Sequence, residues 1–140
     1  MWTCSKCKRK FLRVKQSHSC VVFPLKNHFQ GKEQVARPLF DELVKKIRKY
    51  AGPLTVDSVP CCIHLVHGQT FAAVWALKDK IRVDFRLDEN IKDPRIFRKV
   101  KMSPNRYLYY LDIREKSRID KKLLYWIKES YKLSMRAARG

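Results

Sequence analysis

Cys4, Cys7, His18 and Cys20 have the types and spacing of a metal-binding finger: a C-x-x-C pair and, after ten intervening residues, an H-x-C pair. Three thiolates and one imidazole are a donor set that a tetrahedral Zn2+ accepts. Trp2 and Phe11 would supply the small apolar core of such a segment, which would not fold without its ion. Two rival readings exist. One is a flexible basic tail whose cysteines and histidine are unrelated. The other is a redox C-x-x-C pair, but that usually opens a helix after a strand. Here Lys6, Lys8, Arg9 and Lys10 surround the pair and read as a finger turn. With four protein ligands the ion keeps no open position, so one structural Zn2+ and no catalysis at it are expected.

The charge around the finger points to its partner. Lys6, Lys8, Arg9, Lys10, Arg13 and Lys15 crowd within ten residues, and the chain carries 32 Lys and Arg against 13 acids, a formal charge of +19. Such a balance favours polyanions, nucleic acid first. Phosphate contacts would relieve the repulsion without reading sequence. The remaining two cysteines, Cys61 and Cys62, read as buried small hydrophobes on a strand, since adjacent cysteines make a strained disulfide.

These groups must be held by a body. The expected organisation is a zinc finger over 1–22, a packed connector over 23–32 and a domain over 33–140. Val35, Ala36, Leu39, Phe40, Leu43, Val44 and Ile47 recur at helical spacing, and Gly52-Pro53 ends that helix. Strands are expected at 54–59, 61–67, 71–77 and 81–87, with a hairpin turn at Gly68-Gln69. Pro94 to Arg98 reads as one helical turn, Val100 to Met102 as a short strand, and Tyr107 to Ile113 as a final one. Ser117 with Asp120 resembles a capping box that would start a closing helix. The order defines an α+β two-layer sandwich: an antiparallel sheet of four to six strands with two helices on one face. If Ile81, Val83 and Phe85 face the helices, Arg82 and Arg86 project from the other face. One register puts Tyr110 beside them, a surface suited to stacking and phosphate contact with single-stranded nucleic acid. Tyr107 and Tyr109 read instead as core tyrosines with bonded hydroxyls.

The finger (WTCSKCKRKF…QSHSC), the stretch FPLKNHFQGKE and the segment TVDSVPCCIHLVHGQTFAAVWALKDKIRVDFRL together resemble the bacterial domain of unknown function 5655. The resemblance covers nearly the whole chain and implies a fold without an established activity. Related domains occur beside nuclease-like modules, which leans toward nucleic acid. The helix–sheet–helix order is also similar to frataxin-like domains. Iron handling needs a carboxylate-rich first helix, and here Glu33, Asp41 and Glu42 stand among five cations.

Enzymatic chemistry finds little support in the residues. His64 and His67 lie three apart on a strand and face opposite sides. Asp57 with Asp84-x-Arg86 is a faint shadow of a carboxylate nuclease, with arginine where lysine is needed. No Gly-rich phosphate loop is present. The expectation is a nucleic-acid-binding protein, largely sequence-independent and without catalysis. The alternatives are a module recognising an acidic protein and an enzyme acting on nucleic acid. No small-molecule substrate is indicated. No apolar run of membrane length and no leader pattern occurs, so a cytoplasmic location away from membranes is expected.

Overall fold

The computed structural model describes residues 2–8, 10–11, 13–15 and 23–139. Two short strands, β1 (Trp2–Thr3) and β2 (Lys10–Phe11), form a small antiparallel hairpin. A 3-10 turn (Leu25–Phe29) leads to helix α1 (Ala36–Tyr50). Then come strands β3 (Thr55–Ser58), β4 (Ile63–His67), β5 (Gln69–Ala76), β6 (Ile81–Leu87), β7 (Ile96–Ser103) and β8 (Arg106–Ile113), and helix α2 (Lys121–Arg139). The large sheet has the order β3-β4-β5-β6-β8-β7 with every neighbouring pair antiparallel. The architecture is α+β.

Alternation explains which face the helices cover. Ile63 and Leu65, Ala72, Val74 and Ala76, Ile81, Val83, Phe85 and Leu87, then Tyr109, Leu111 and Ile113 turn to one side and are buried. Onto them α1 sets Leu39, Phe40, Leu43 and Ile47, and α2 sets Leu123, Trp126, Ile127 and Tyr131. Tyr109 is fully buried in this layer. Its hydroxyl donates to the Glu89 carbonyl (2.6 Å) and accepts the Ile91 N–H (2.9 Å), so its polar end is satisfied. The connector joins the same core: Phe29 is 1% exposed, with its ring 5.4 Å from that of Phe40.

Two local features depart from simple periodicity. Leu65 pairs Ala72 while Val66 pairs Thr70, so Phe71 is an extra residue in β5. The bulge turns Phe71 into the core beside its neighbour Ala72, against Tyr131. At the end of α1, Gly52 has φ +142°, and a Cβ there would sit 2.8 Å from the Tyr131 hydroxyl. That hydroxyl donates to the Pro53 carbonyl (2.7 Å), which ties α2 to the turn after α1.

Ser130 is the polar rivet of the interior. Its hydroxyl donates to the Phe71 carbonyl (2.6 Å) and accepts the Arg86 N–H (3.0 Å). Ser130→Ala leaves two backbone groups of the sheet without partners beneath a helix. It should cost about 2–4 kcal/mol in urea unfolding, the penalty of such orphaned groups. A loss below about 0.5 kcal/mol would show that water reaches this point.

Four expected assignments are corrected. Residues 94–98 do not form a helical turn, and the strand placed at 100–102 runs from Ile96 to Ser103. Its outward charges and two extra residues, Phe97 and Met102, hide the period of two. Ser117 does not open α2. It lies in a separate 3-10 turn (Lys116–Arg118), and Asp120 caps the helix by accepting the Leu123 N–H at 3.0 Å. Cys61 and Cys62 precede β4 instead of lying on it. They belong to the tight turn in which Val59 and Cys62 exchange backbone hydrogen bonds, and Cys61 is exposed while Cys62 is buried.

Candidate nucleic-acid interface

The face of the sheet turned away from the helices is crossed by one aligned row. Asp57 of β3 stands opposite His64 of β4, then follow Ala73, Asp84, Tyr110 and Arg98 on β5, β6, β8 and β7. At strand spacings of roughly 4.8 Å, the row is about 24 Å long.

Its β7–β8 end is an aromatic and arginine platform. The Tyr110 ring lies 5.8 Å from Trp75 and 6.3 Å from Phe97, centroid to centroid. The Arg98 guanidinium lies 5.1 Å from the Tyr110 ring, and that of Arg82 lies 4.6 Å from Phe97. These residues and Leu77 line an open depression of about 250 Å³. The bulge in β7 is what presents Phe97: Ile96 pairs Leu111 and Arg98 pairs Tyr110, leaving Phe97 between them, 53% exposed. Arg82 is held by Asp112 in a two-pronged ion pair (2.8 and 3.3 Å), and Lys80 reaches the same carboxylate at 2.9 Å. Burial would raise the Asp112 pKa, but the two cations outweigh it and hold it below the usual value. Lys80 and Arg82 thus leave one net positive charge beside the rings.

The centre of the row is closed. Asp84 is 6% exposed and accepts the Ala73 N–H at 2.9 Å. Burial pushes its carboxyl up to about 6, against the opposing pull of the Ala73 N–H and the Arg86 charge. Arg86 is half-buried and its Nε has no hydrogen-bond partner. Asp57 and Asp84 are three strand spacings apart, about 14 Å, too far to share a metal as a nuclease carboxylate pair would.

At the β3 end the small hairpin brings its cations to the sheet. Lys10, Phe11 and Arg13 line a cleft of about 460 Å³ with Asp57, His64 and Thr70, and Lys8 and Lys10 line a neighbouring one beside Thr55 and Val56. Lys6 and Lys15 are exposed, while Arg9, His18 and Cys20 lie outside the described residues. Cys4 is buried, and its carbonyl accepts the Lys8 N–H (2.8 Å), closing a turn around Cys7 in which Lys8 takes φ +63°. Among the described residues, one group could hold a metal ion: the ligand atoms of Cys61, Cys62 and His64 all lie within 4.8 Å of one another. His67 is on the opposite side, its ring stacked on Tyr131 at 4.6 Å.

Of the expected contact residues, Arg82 and Tyr110 meet in the platform, and Arg86 sits four residues along β6 from Arg82. Lys8, Lys10 and Arg13 gather at the other end. Trp75, Phe97 and Arg98 were not expected there. Trp75 belongs to a strand apolar on both faces, which conceals its side. Two cations of α2 are engaged elsewhere: Lys122 pairs with Asp93 at 2.8 Å and Lys128 lies over the Tyr50 ring.

A strongly basic α+β domain is thereby defined, with an aromatic–arginine platform on its helix-free sheet face. The chain belongs to the family described as Domain of unknown function (DUF5655), which matches residues 25–134. No curated protein and no solved structure matches it. No helix among the described residues is long and apolar enough to cross a membrane.

Proposed function

We propose that this chain binds nucleic acid, mainly through its charge, with single strands preferred. The observation that carries the reading is the platform of Trp75, Tyr110 and Phe97 interleaved with Arg82 and Arg98. Bases of an open strand offer faces to such rings, and guanidinium groups beside them meet phosphates. A duplex hides those faces. The +19 charge supplies long-range attraction, and Lys8, Lys10 and Arg13 offer a second set of phosphate contacts across the sheet.

In the same reading, Cys4, Cys7, His18 and Cys20 hold one structural Zn2+ that fixes the basic hairpin. The buried Cys4 and the closed turn from Cys4 to Lys8 support it, because they set two thiols on one tight loop. The ion would cross-link the segment and do no chemistry. No catalytic role is proposed.

The test is fluorescence anisotropy with labelled single-stranded and duplex oligonucleotides over a salt series. The expected result is tighter binding of the single strand and a linear fall of log K with log salt. Lys8→Glu with Lys10→Glu should weaken binding at least tenfold and flatten that slope. Equal displacement of the oligonucleotide by an acidic polypeptide would favour a protein partner. Absence of binding at low salt would end the proposal.

A further inference from the structure

Cys61, Cys62 and His64 sit at the β3–β4 turn, away from the platform. Their donor atoms lie within 4.8 Å of one another, and the two sulfurs are 3.2 Å apart. Two thiolates bound at about 2.3 Å to one tetrahedral ion stand roughly 3.8 Å from each other, so a small opening of this pair accommodates an ion. Two backbone hydrogen bonds close the turn: Val59 N–H donates to the Cys62 carbonyl (3.1 Å) and Cys62 N–H to the Val59 carbonyl (3.3 Å). His64 follows two residues later on the same side of the sheet. Opposite it in register stands Asp57, where a carboxylate can orient the ring by accepting its second N–H. Cys62 is buried and Cys61 exposed, so an ion here would have protein on one side and solvent on the other.

We propose that Cys61, Cys62 and His64 form a second metal site, separate from the finger, for a thiophilic divalent cation of the zinc class. Two sulfurs and one imidazole match the preference of such an ion over hard cations such as Mg2+ or Ca2+. Three protein ligands leave the fourth position to solvent or to an exchangeable donor, which separates this site in kind from a four-ligand structural one. The site does not depend on nucleic-acid binding.

The test uses the full chain under reductant, stripped, reloaded with Zn2+ and desalted before metal counting. Cys61→Ser and His64→Asn should each hold one zinc fewer than the parent, with far-UV circular dichroism unchanged. Cys7→Ser should retain this zinc, whatever happens at the finger. Asp57→Asn should keep the count and lower the affinity about 10- to 100-fold, as expected for a ligand-orienting carboxylate. With Co2+, the Cys7→Ser chain should show sulfur-to-cobalt charge-transfer absorption that disappears when Cys61→Ser is added. A Cys61→Ser chain holding as much zinc as the parent overturns the proposal. So does a single parental zinc that is lost in Cys7→Ser and kept in Cys61→Ser.

Discussion

Phe97→Ala combined with Arg98→Ala should weaken binding of a single-stranded oligonucleotide about 100-fold and leave thermal stability within a degree or two. One aromatic stacking partner contributes about 1–3 kcal/mol per base, and loss of a phosphate contact adds to it through the salt-dependent part. Both residues are exposed on an outer strand, so neither substitution opens a cavity. The pair acts through different physics, which makes the test discriminating. Phe97→Ala alone should lower affinity at every salt concentration, because stacking is not screened. Arg98→Ala alone should reduce the salt slope by nearly one. Were the double variant to bind as the parent does, the platform would be an ordinary surface cluster, and the hairpin cations would have to carry the interaction.

Asp84→Asn should stabilise the protein at pH 8 and change nothing near pH 3. The native carboxyl has a pKa of about 6 against an ordinary value of 3.8, because burial disfavours its charge. The folded state therefore prefers the protonated form. Its stabilising contribution is complete below the ordinary carboxylate range, declines as pH rises through about 6, and is gone above that. The difference amounts to about 3 kcal/mol. Asparagine keeps an oxygen to accept the Ala73 N–H and cannot ionise. Urea unfolding of parent and variant between pH 3 and 8 reads this directly: the curves should meet at the acid end and diverge by about 3 kcal/mol at the alkaline end. If the variant is less stable at pH 8, ionised Asp84 is paired with Arg86 and the burial account fails.

Much of the body is legible in the residues. The alternation of Ile81, Val83, Phe85 and Leu87 with Arg82, Asp84 and Arg86 fixes both the strand and its faces, because each side meets a different environment. Tyr110 stands beside these arginines in one particular register, which the β6–β8 pairing supplies, and the core role of Tyr109 follows from its chemistry. What stayed hidden depends on pairing. Phe97 is outward only because one extra residue shifts the register of β7, and a bulge has no signature in local periodicity. Trp75 lies in a strand whose two faces are both apolar, so nothing local assigns its side. The Cys61–Cys62 pair reads as buried residues on a strand, although Pro60 before it signals a turn, and the turn is what exposes Cys61. His18 and Cys20 lie outside the described residues, so the donor set of the finger rests on spacing.

The two outer strands have a consequence for how the chain behaves in a crowd of its own copies. A sheet margin offers a line of unpaired N–H and C=O groups on which another chain can extend the ladder, the usual seed of aggregation. On β7 that line carries Arg98, Lys99 and Lys101, so two molecules meeting there repel each other. β3 has no cation of its own, but Lys8 and Lys10 of the small hairpin stand beside Thr55 and Val56. The basic hairpin thus shields an adhesive margin as well as presenting charge, and a chain deprived of it would be sticky along that side.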